Sequence, residues 1–267
     1  MRVALRIAYD GSRFGAYARD PGVGHSVEGC LVRALRGEGY VDGSLRTGSR
    51  TDRGVSAREN VLGAALDRPH LRGLVPAVCA RLPDGLWLTA ACEVPDDWNP
   101  RFAASRTYEY LAPGHGEDRA RMEAACREFV GRHDVRAFAR MEEGRDPVRE
   151  VLRCEVAPDG GDWRFTVQGR SFLWNQVRRT VDAVLRVGRG EVAVQDVKTA
   201  LATGVRHARF DRAPAEGLVL ASVEHGLAWD PAAGTVPRAG VERAWQEARV
   251  REYVVQSVRG GWKAKSG

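Results

Sequence analysis

Lysine is almost missing from this chain of 267 residues. Of its 41 basic side chains only Lys198, Lys263 and Lys265 are lysines, and the rest are arginines. The planar guanidinium suits bidentate phosphate contact and stacking on bases, but genome composition produces the same bias, so it does not establish nucleic acid by itself. Long runs of one sign are also missing. The net charge of +6 is spread along the chain, which implies a basic surface and not a basic tail. The five cysteines contain no Cys-x-x-Cys, their nearest pair is Cys79 and Cys92, and the histidines are not clustered. Neither a disulfide framework nor a zinc site is indicated. No apolar run approaches the ~20 residues of a membrane helix. The N-terminus runs directly into a strand pattern without a leader, so no membrane and a cytoplasmic location are the expectation. No Gly-x-x-x-x-Gly-Lys phosphate loop is present.

The 43% hydrophobic content is enough for sizeable cores. Val3, Leu5, Ile7 and Tyr9 alternate with Ala4, Arg6 and Ala8, the period of a half-buried strand, which Asp10-Gly11-Ser12 ends. Ser26 caps a predicted helix bearing Val27, Leu31, Ala34 and Leu35, closed by Gly37. A strand near Val41 to Thr47, one at Val61 to Leu66, a helix over Leu74 to Leu82 with Pro76 in its first turn, and a strand from Leu86 to Val94 complete a β-α-β-β-α-β unit. After Asp96-Asp97-Trp98-Asn99-Pro100 the order returns. The pattern predicts strand Arg106 to Leu111, helix Asp118 to Val130, strands Val148 to Val156 and Trp163 to Gln168, helices Phe172 to Val187 and Val194 to Thr203, and strand Leu218 to Val223. The expectation is an α+β chain of two related β-α-β-β-α-β halves, residues 1–100 and 101–228, with a helical extension over 229–267. In that extension Val241 to Val255 reads as a helix that Trp245 and Tyr253 would dock on the body.

Between the first helix and the strand at Val61 lies Gly48-Ser49-Arg50-Thr51-Asp52-Arg53-Gly54-Val55-Ser56-Ala57. It holds one carboxylate between two guanidiniums among small, turn-forming residues. Alone it also reads as a surface turn. Two other stretches supply groups that could converge on Asp52. In Arg106-Thr107-Tyr108-Glu109-Tyr110 the two tyrosines share one face of a strand, and Tyr108 follows a basic turn where a cleft between the halves would open. In the helix after Phe172, Arg178 falls at the edge of the stripe formed by Phe172, Gln176, Val177, Thr180, Val181, Val184 and Leu185, and there it wants a carboxylate partner; Arg179 points toward water.

Tyr9-Asp10-Gly11-Ser12, Ser26-Val27-Glu28-Gly29, Gly48 to Ala57, Arg101 to Tyr110, Phe172 to Arg178 and Ala213 to Leu218 occur in one order over residues 1 to 225. On these motifs the chain resembles the TruA family of tRNA pseudouridine synthases, with Arg-Thr-Asp-x-Gly-Val the most specific. The resemblance implies that Asp52 is the catalytic aspartate. It implies that Arg50 displaces the target base, that Tyr108 stacks on the uracil, that Arg178 pairs with the aspartate, and that Leu218 belongs to the substrate-binding set. It also implies a continuous, mostly antiparallel sheet with a central cleft (the pseudouridine synthase fold), tRNA as partner, and a homodimer. Ala16-Tyr17-Ala18 departs from the Gly, aromatic, Gln of many members, Ser56 replaces a frequent His, and Asp182 replaces a usual Gly; Ser56 points to an archaeal type.

The implied reaction cuts the bond from ribose to uracil nitrogen and rejoins the ribose to a uracil carbon, in the anticodon stem-loop at positions 38 to 40. It is redox-neutral and calls for no cofactor and no metal. A carboxylate serves it either as nucleophile at the sugar or as base while the detached uracil turns. The target is paired, so it must be flipped out at about a few kcal/mol. A non-catalytic RNA-binding protein or tRNA chaperone on the same scaffold is the alternative, and it predicts that Asp52→Ala keeps all function. A metal-dependent nuclease would need further carboxylates near Asp52, with Asp10 the one candidate.

Overall fold

The computed structural model describes residues 1–19, 25–244, 246–248 and 250. The alternation at the N-terminus forms β1 (Arg2–Tyr9), with Val3, Leu5, Ile7 and Tyr9 all buried. Ser26 caps α1 (Val27–Arg36) by accepting from the Gly29 N–H at 3.2 Å. β2 is only Arg46–Thr47, shorter than the strand expected from Val41, because residues 41–45 turn through a positive-φ Gly43. β3 runs Ser56–Ala65, so it begins well before Val61 and takes in the end of the charged stretch. α2 (Leu74–Cys79) has Pro76 in its first turn, and β4 is Leu86–Glu93. The second run is β5 (Ser105–Ala112), α3 (Arg119–Phe129), β6 (Gly131–Asp134), β7 (Val148–Asp159), β8 (Asp162–Gly169), α4 (Gln176–Gly188), α5 (Val194–Thr203) and β9 (Leu218–Glu224). The pattern missed β6, whose sequence Gly-Arg-His-Asp carries no apolar alternation.

Among the described residues nine strands form one sheet, in the order β4-β1-β3-β9-β5-β8-β7-β6 with β2 beside β3. Every pairing is antiparallel except β3 with β9, which run parallel through Ser56↔Val219 and Ala57↔Leu220. The last strand therefore threads back between β3 and β5 and makes the sheet continuous. Two hydrophobic clusters lie against it. One joins α1 and α2 to β1, β3 and β4; the other joins α3, α4 and α5 to β5, β7, β8 and β9. Tyr108 packs against both clusters, so they share a face of the sheet and meet at β5.

α4 departs from expectation at its start. The helix begins at Gln176, four residues after Phe172, because Asn175 sits at φ 65° and a left-handed residue does not continue a right-handed helix. Arg179 does not point freely to water. It is half-buried, its Nε is buried without an acceptor among the described residues, and burial followed by the nearby Arg206 charge lowers its pKa. Near the C-terminus the chain is helical over 238–244, and Arg13 pairs with Glu247 while Arg243 lies 3.7 Å from Asp84. Trp245, Tyr253, Lys263 and Lys265 lie outside the described residues. Among the described residues no helix is long and apolar enough to cross a membrane.

Candidate active site

The charged stretch becomes the loop from β2 into β3. It is held at both ends by backbone: Gly48 N–H donates to Val61 O at 3.1 Å, and Val55 N–H to Asp52 O at 3.1 Å, closing a turn that Gly54 completes at φ 87°. A second segment locks it from outside. Gly11 N–H donates to Ser56 Oγ at 3.0 Å, and the backbones come so close that a Cβ on Gly11 would stand 2.1 Å from Val55 O. The Tyr9-Asp10-Gly11-Ser12 motif is thus a clamp on the loop. Tyr9 adds its hydroxyl, 2.9 Å from Thr51 Oγ1, and burial pushes that phenol far above its ordinary range. Asp10, the other carboxylate of this region, accepts from Ser12 and pairs with Arg13.

Asp52 meets Arg178 across 126 positions of sequence: Nη1 donates to Asp52 Oδ2 at 2.9 Å. Arg178 is gripped as well as paired, since Nε donates to Ala213 O at 2.8 Å and Nη1 also to Asn175 Oδ1 at 3.3 Å. The Arg178 side chain is 11% exposed and that of Asp52 23%, so the pair lies at a mouth and not in a core. Among the described residues Asp52 Oδ1 accepts no hydrogen bond. The crevice behind the loop, lined in part by Tyr9, Gly11, Thr51 and Asp52, measures about 10 Å³, room for one water at most. A ring reaching Asp52 must lie on the open side of the carboxylate.

On that junction Tyr108 is half-buried, with the Phe172 ring edge-on at 5.4 Å. Burial pushes its phenol up to about 12, with Arg106 drawing it down and the Asp52 charge adding to the rise. The hydroxyl is therefore neutral at physiological pH and the residue offers a ring. A one-residue irregularity between β5 and β9 falls between Thr107 and Tyr108, the kind of bulge that re-aims a side chain. Arg50 stands elsewhere. It is exposed and lines a separate cavity of about 290 Å³ with Glu28, Leu45, Arg46, Thr47, Asn99 and Arg101. Leu218 is buried at 5% in the core with Tyr110 and Val55, and its N–H is spent on Ala215 O at 3.0 Å.

Pattern reading missed the residues that hold this arrangement. Arg106 is 7% exposed and donates to Ser49 Oγ (2.9 Å), Gly48 O (3.3 Å), Arg101 O (2.9 Å) and Arg170 O (2.6 Å), so one side chain ties the loop, the linker and the approach to α4. Asn60, fully buried on β3, donates to Ser49 O at 2.8 Å. Both left a signal: a polar residue on the face that carries Tyr108 and Tyr110, or Leu62 and Ala64, must find partners inside.

A family profile described as "tRNA pseudouridine synthase" matches residues 125–225. A tRNA pseudouridine synthase A of Thermococcus kodakarensis is 42% identical over 231 residues, covering 84% of this chain and 85% of the relative. One of Thermococcus sibiricus is 36% identical over 263 residues, covering 96% of each, and both sources are archaeal. A solved structure, "Crystal Structure of a Cbf5-Nop10-Gar1 Complex", overlaps at 15% identity and TM-score 0.33 over 68% of this chain and 54% of that one. Identity at the level of the Thermococcus proteins spans both the Asp52 loop and the helix that brings Arg178 to it: the chain belongs to the tRNA pseudouridine synthase A family.

Proposed function

We propose that Asp52 is the catalytic group of this tRNA-modifying isomerase, and that its substrates are uridines of the anticodon stem-loop, at positions 38 to 40. The observation that carries the assignment is the 2.9 Å Asp52–Arg178 pair beside Tyr108. A fixed guanidinium orients Oδ2 and leaves Oδ1 toward the open side, where a flipped nucleoside would present C1′. The C1′–N1 bond breaks with its electron pair retained by uracil; the ring turns, C5 bonds to C1′, and the C5 proton leaves. Asp52 serves as nucleophile at C1′ or as base in that sequence. Arg178 holds it, Tyr108 stacks on the ring, and Arg50, from the separate cavity it lines, enters the gap the base leaves. Leu218, under the site, closes the floor beside Tyr110. The halves at 1–100 and 101–228 form the two walls of the cleft, with 229–267 as an outer extension, and two copies of the chain share each tRNA.

The test is tritium release from tRNA labelled at uracil C5, with wild type and Asp52→Asn side by side. Release by the wild type alone, with equal tRNA binding by both, is the expected result. Equal release by both sinks the assignment.

A further inference from the structure

Arg46, Arg50 and Arg101 line the cavity of about 290 Å³ beside the Asp52 loop. All three are exposed, and among the described residues none of the three guanidiniums pairs with a carboxylate. The one carboxylate in the wall, Glu28, is already engaged: Oε1 accepts from Thr47 Oγ1 at 3.3 Å and Oε2 from the Arg19 N–H at 2.9 Å. Positive charge is in excess there, and planar guanidiniums match a group with several anionic oxygens. The wall is also rigid. The turn at 99–102 closes through Phe102 N–H to Asn99 O at 3.1 Å and Arg101 N–H to Asn99 Oδ1 at 3.0 Å. Arg106 bonds Arg101 O together with Gly48 O and Ser49 Oγ, and a Cβ on Gly48 would stand 2.7 Å from Pro100 O. Turn and Asp52 loop therefore move as one body, with Arg50 at most ~7 Å of backbone from Asp52. Phe102, which ends the turn, is 82% exposed, the most exposed large apolar side chain among the described residues. Its backbone is already ordered, and its ring faces solvent.

We propose that this cavity binds a phosphodiester of the tRNA strand that carries the target uridine, with Arg46 and Arg101 on the phosphate oxygens and the adjoining base stacked on Phe102. The proposal rests on the assignment of Asp52 above, because it takes the flipped uridine to lie at that carboxylate. Phe102 favours a strand over a free anion, since an inorganic phosphate has no ring to stack. Phosphate contacts fix register and orientation without reading sequence, and an aromatic stack tolerates any base. A site of this kind, held at a fixed offset from the carboxylate, sets which nucleotide along the strand reaches Asp52 while accepting tRNAs of different sequence. A wall ordered before binding adds little entropy cost to the contact.

The test walks a single methylphosphonate, which removes one backbone charge, through an anticodon stem-loop RNA and measures Kd for wild type and for the double variant Arg46→Gln, Arg101→Gln. The double variant is expected to melt as wild type does and to bind about tenfold or more weakly. Its slope of log K against log salt is shallower by about 0.7–0.9 for each arginine removed. At one backbone position beside the target the methylphosphonate weakens wild type and leaves the double variant unaffected. Phe102→Ala binds about fivefold or more weakly, and Phe102→Trp restores the affinity. Arg127→Gln, which removes an exposed guanidinium from α3, controls for net charge and binds as wild type does. Equal methylphosphonate losses in wild type and double variant at every position overturn the proposal, as does an unchanged Kd in the double variant or in Phe102→Ala. Inorganic phosphate that raises the melting point of wild type alone, with equal tRNA binding by both, overturns it in favour of a free anion. Asp52→Asn run alongside keeps the two readings apart: tritium release by Asp52→Asn removes the carboxylate assignment, whereas unchanged binding by the double variant removes only the cavity.

Discussion

Arg106 places a buried guanidinium on four neutral oxygens, those of Ser49, Gly48, Arg101 and Arg170, and burial lowers its pKa from the ordinary arginine range. Its planar fork reaches several acceptors at once, which the single ammonium of lysine does not. Arg106→Lys is therefore expected to destabilise the fold and slow turnover together. Each acceptor left buried and unpaired costs about 1–3 kcal/mol, and denaturant unfolding with tritium release checks both effects. Tyr108 behaves differently, because burial pushes its phenol up to about 12 and leaves the ring as the part proposed to meet a base. Tyr108→Phe should retain tRNA affinity, whereas Tyr108→Ala should lose the ~1–3 kcal/mol of one base stack, read as a rise in Kd. An equal loss in both variants would show that the hydroxyl matters for binding.

At the scale of elements, the Asp52 loop is shaped by contacts its own residues do not contain. β1 delivers Tyr9, the turn after it Gly11, β3 Asn60 and β5 Arg106, each bonding the segment from Gly48 to Ser56. Gly11→Ala forces a Cβ into Val55 O, which lies 2.1 Å from its ideal position, so the loop or β1 must shift. The expected outcome is a lower unfolding midpoint and a loss of activity larger than the stability loss explains, measured by thermal melting and tritium release at a temperature where the variant is folded. The periodicity of β1, α1, α5 and β8 could be read from sequence because each buries one face. β2 and β6 could not: a two-residue pairing and a Gly-Arg-His-Asp strand carry no period. The start of α4 was misplaced since the apolar Phe172 continues the stripe, while the conformation of Asn175 breaks the helix.

For the whole molecule, His225 links stability to pH. Burial, then the nearby Arg106 charge, lowers its pKa from the ordinary 6.5. A group with a depressed folded pKa leaves the unfolded chain binding more protons, so stability rises with pH across that window. His225 contributes its full share above 6.5, and that share is lost as pH falls through its lower folded value. Melting between pH 7 and pH 5 should show the decline, and His225→Gln should show less of it. Chain-wide charge makes a second prediction. With a net charge of +6 carried almost wholly by arginine, tRNA affinity should fall as salt rises, with a negative slope of log K against log salt. A slope near zero would contradict a phosphate-dominated contact. The proposed homodimer is tested by light scattering of the protein with and without tRNA, where a monomer in both would remove it.

The order of chemistry-bearing motifs, the strand and helix periods, and the family were determined by the sequence alone, because side-chain type and spacing are local quantities. Asp52 stood out there as a lone carboxylate among arginines, and Arg178 as a charge at the edge of an apolar stripe. Tertiary structure decided what no local quantity contains. The parallel return of β9 between β3 and β5 brings the segment around Ala213 onto α4 and closes the sheet beneath the site. Arg106 is a strand residue like any other until the fold surrounds it with four oxygens, and Asn175 is a loop asparagine until Arg178 dictates which way its amide faces. Pairing across 126 residues depends on chain closure and burial, and both come into being only when the molecule folds.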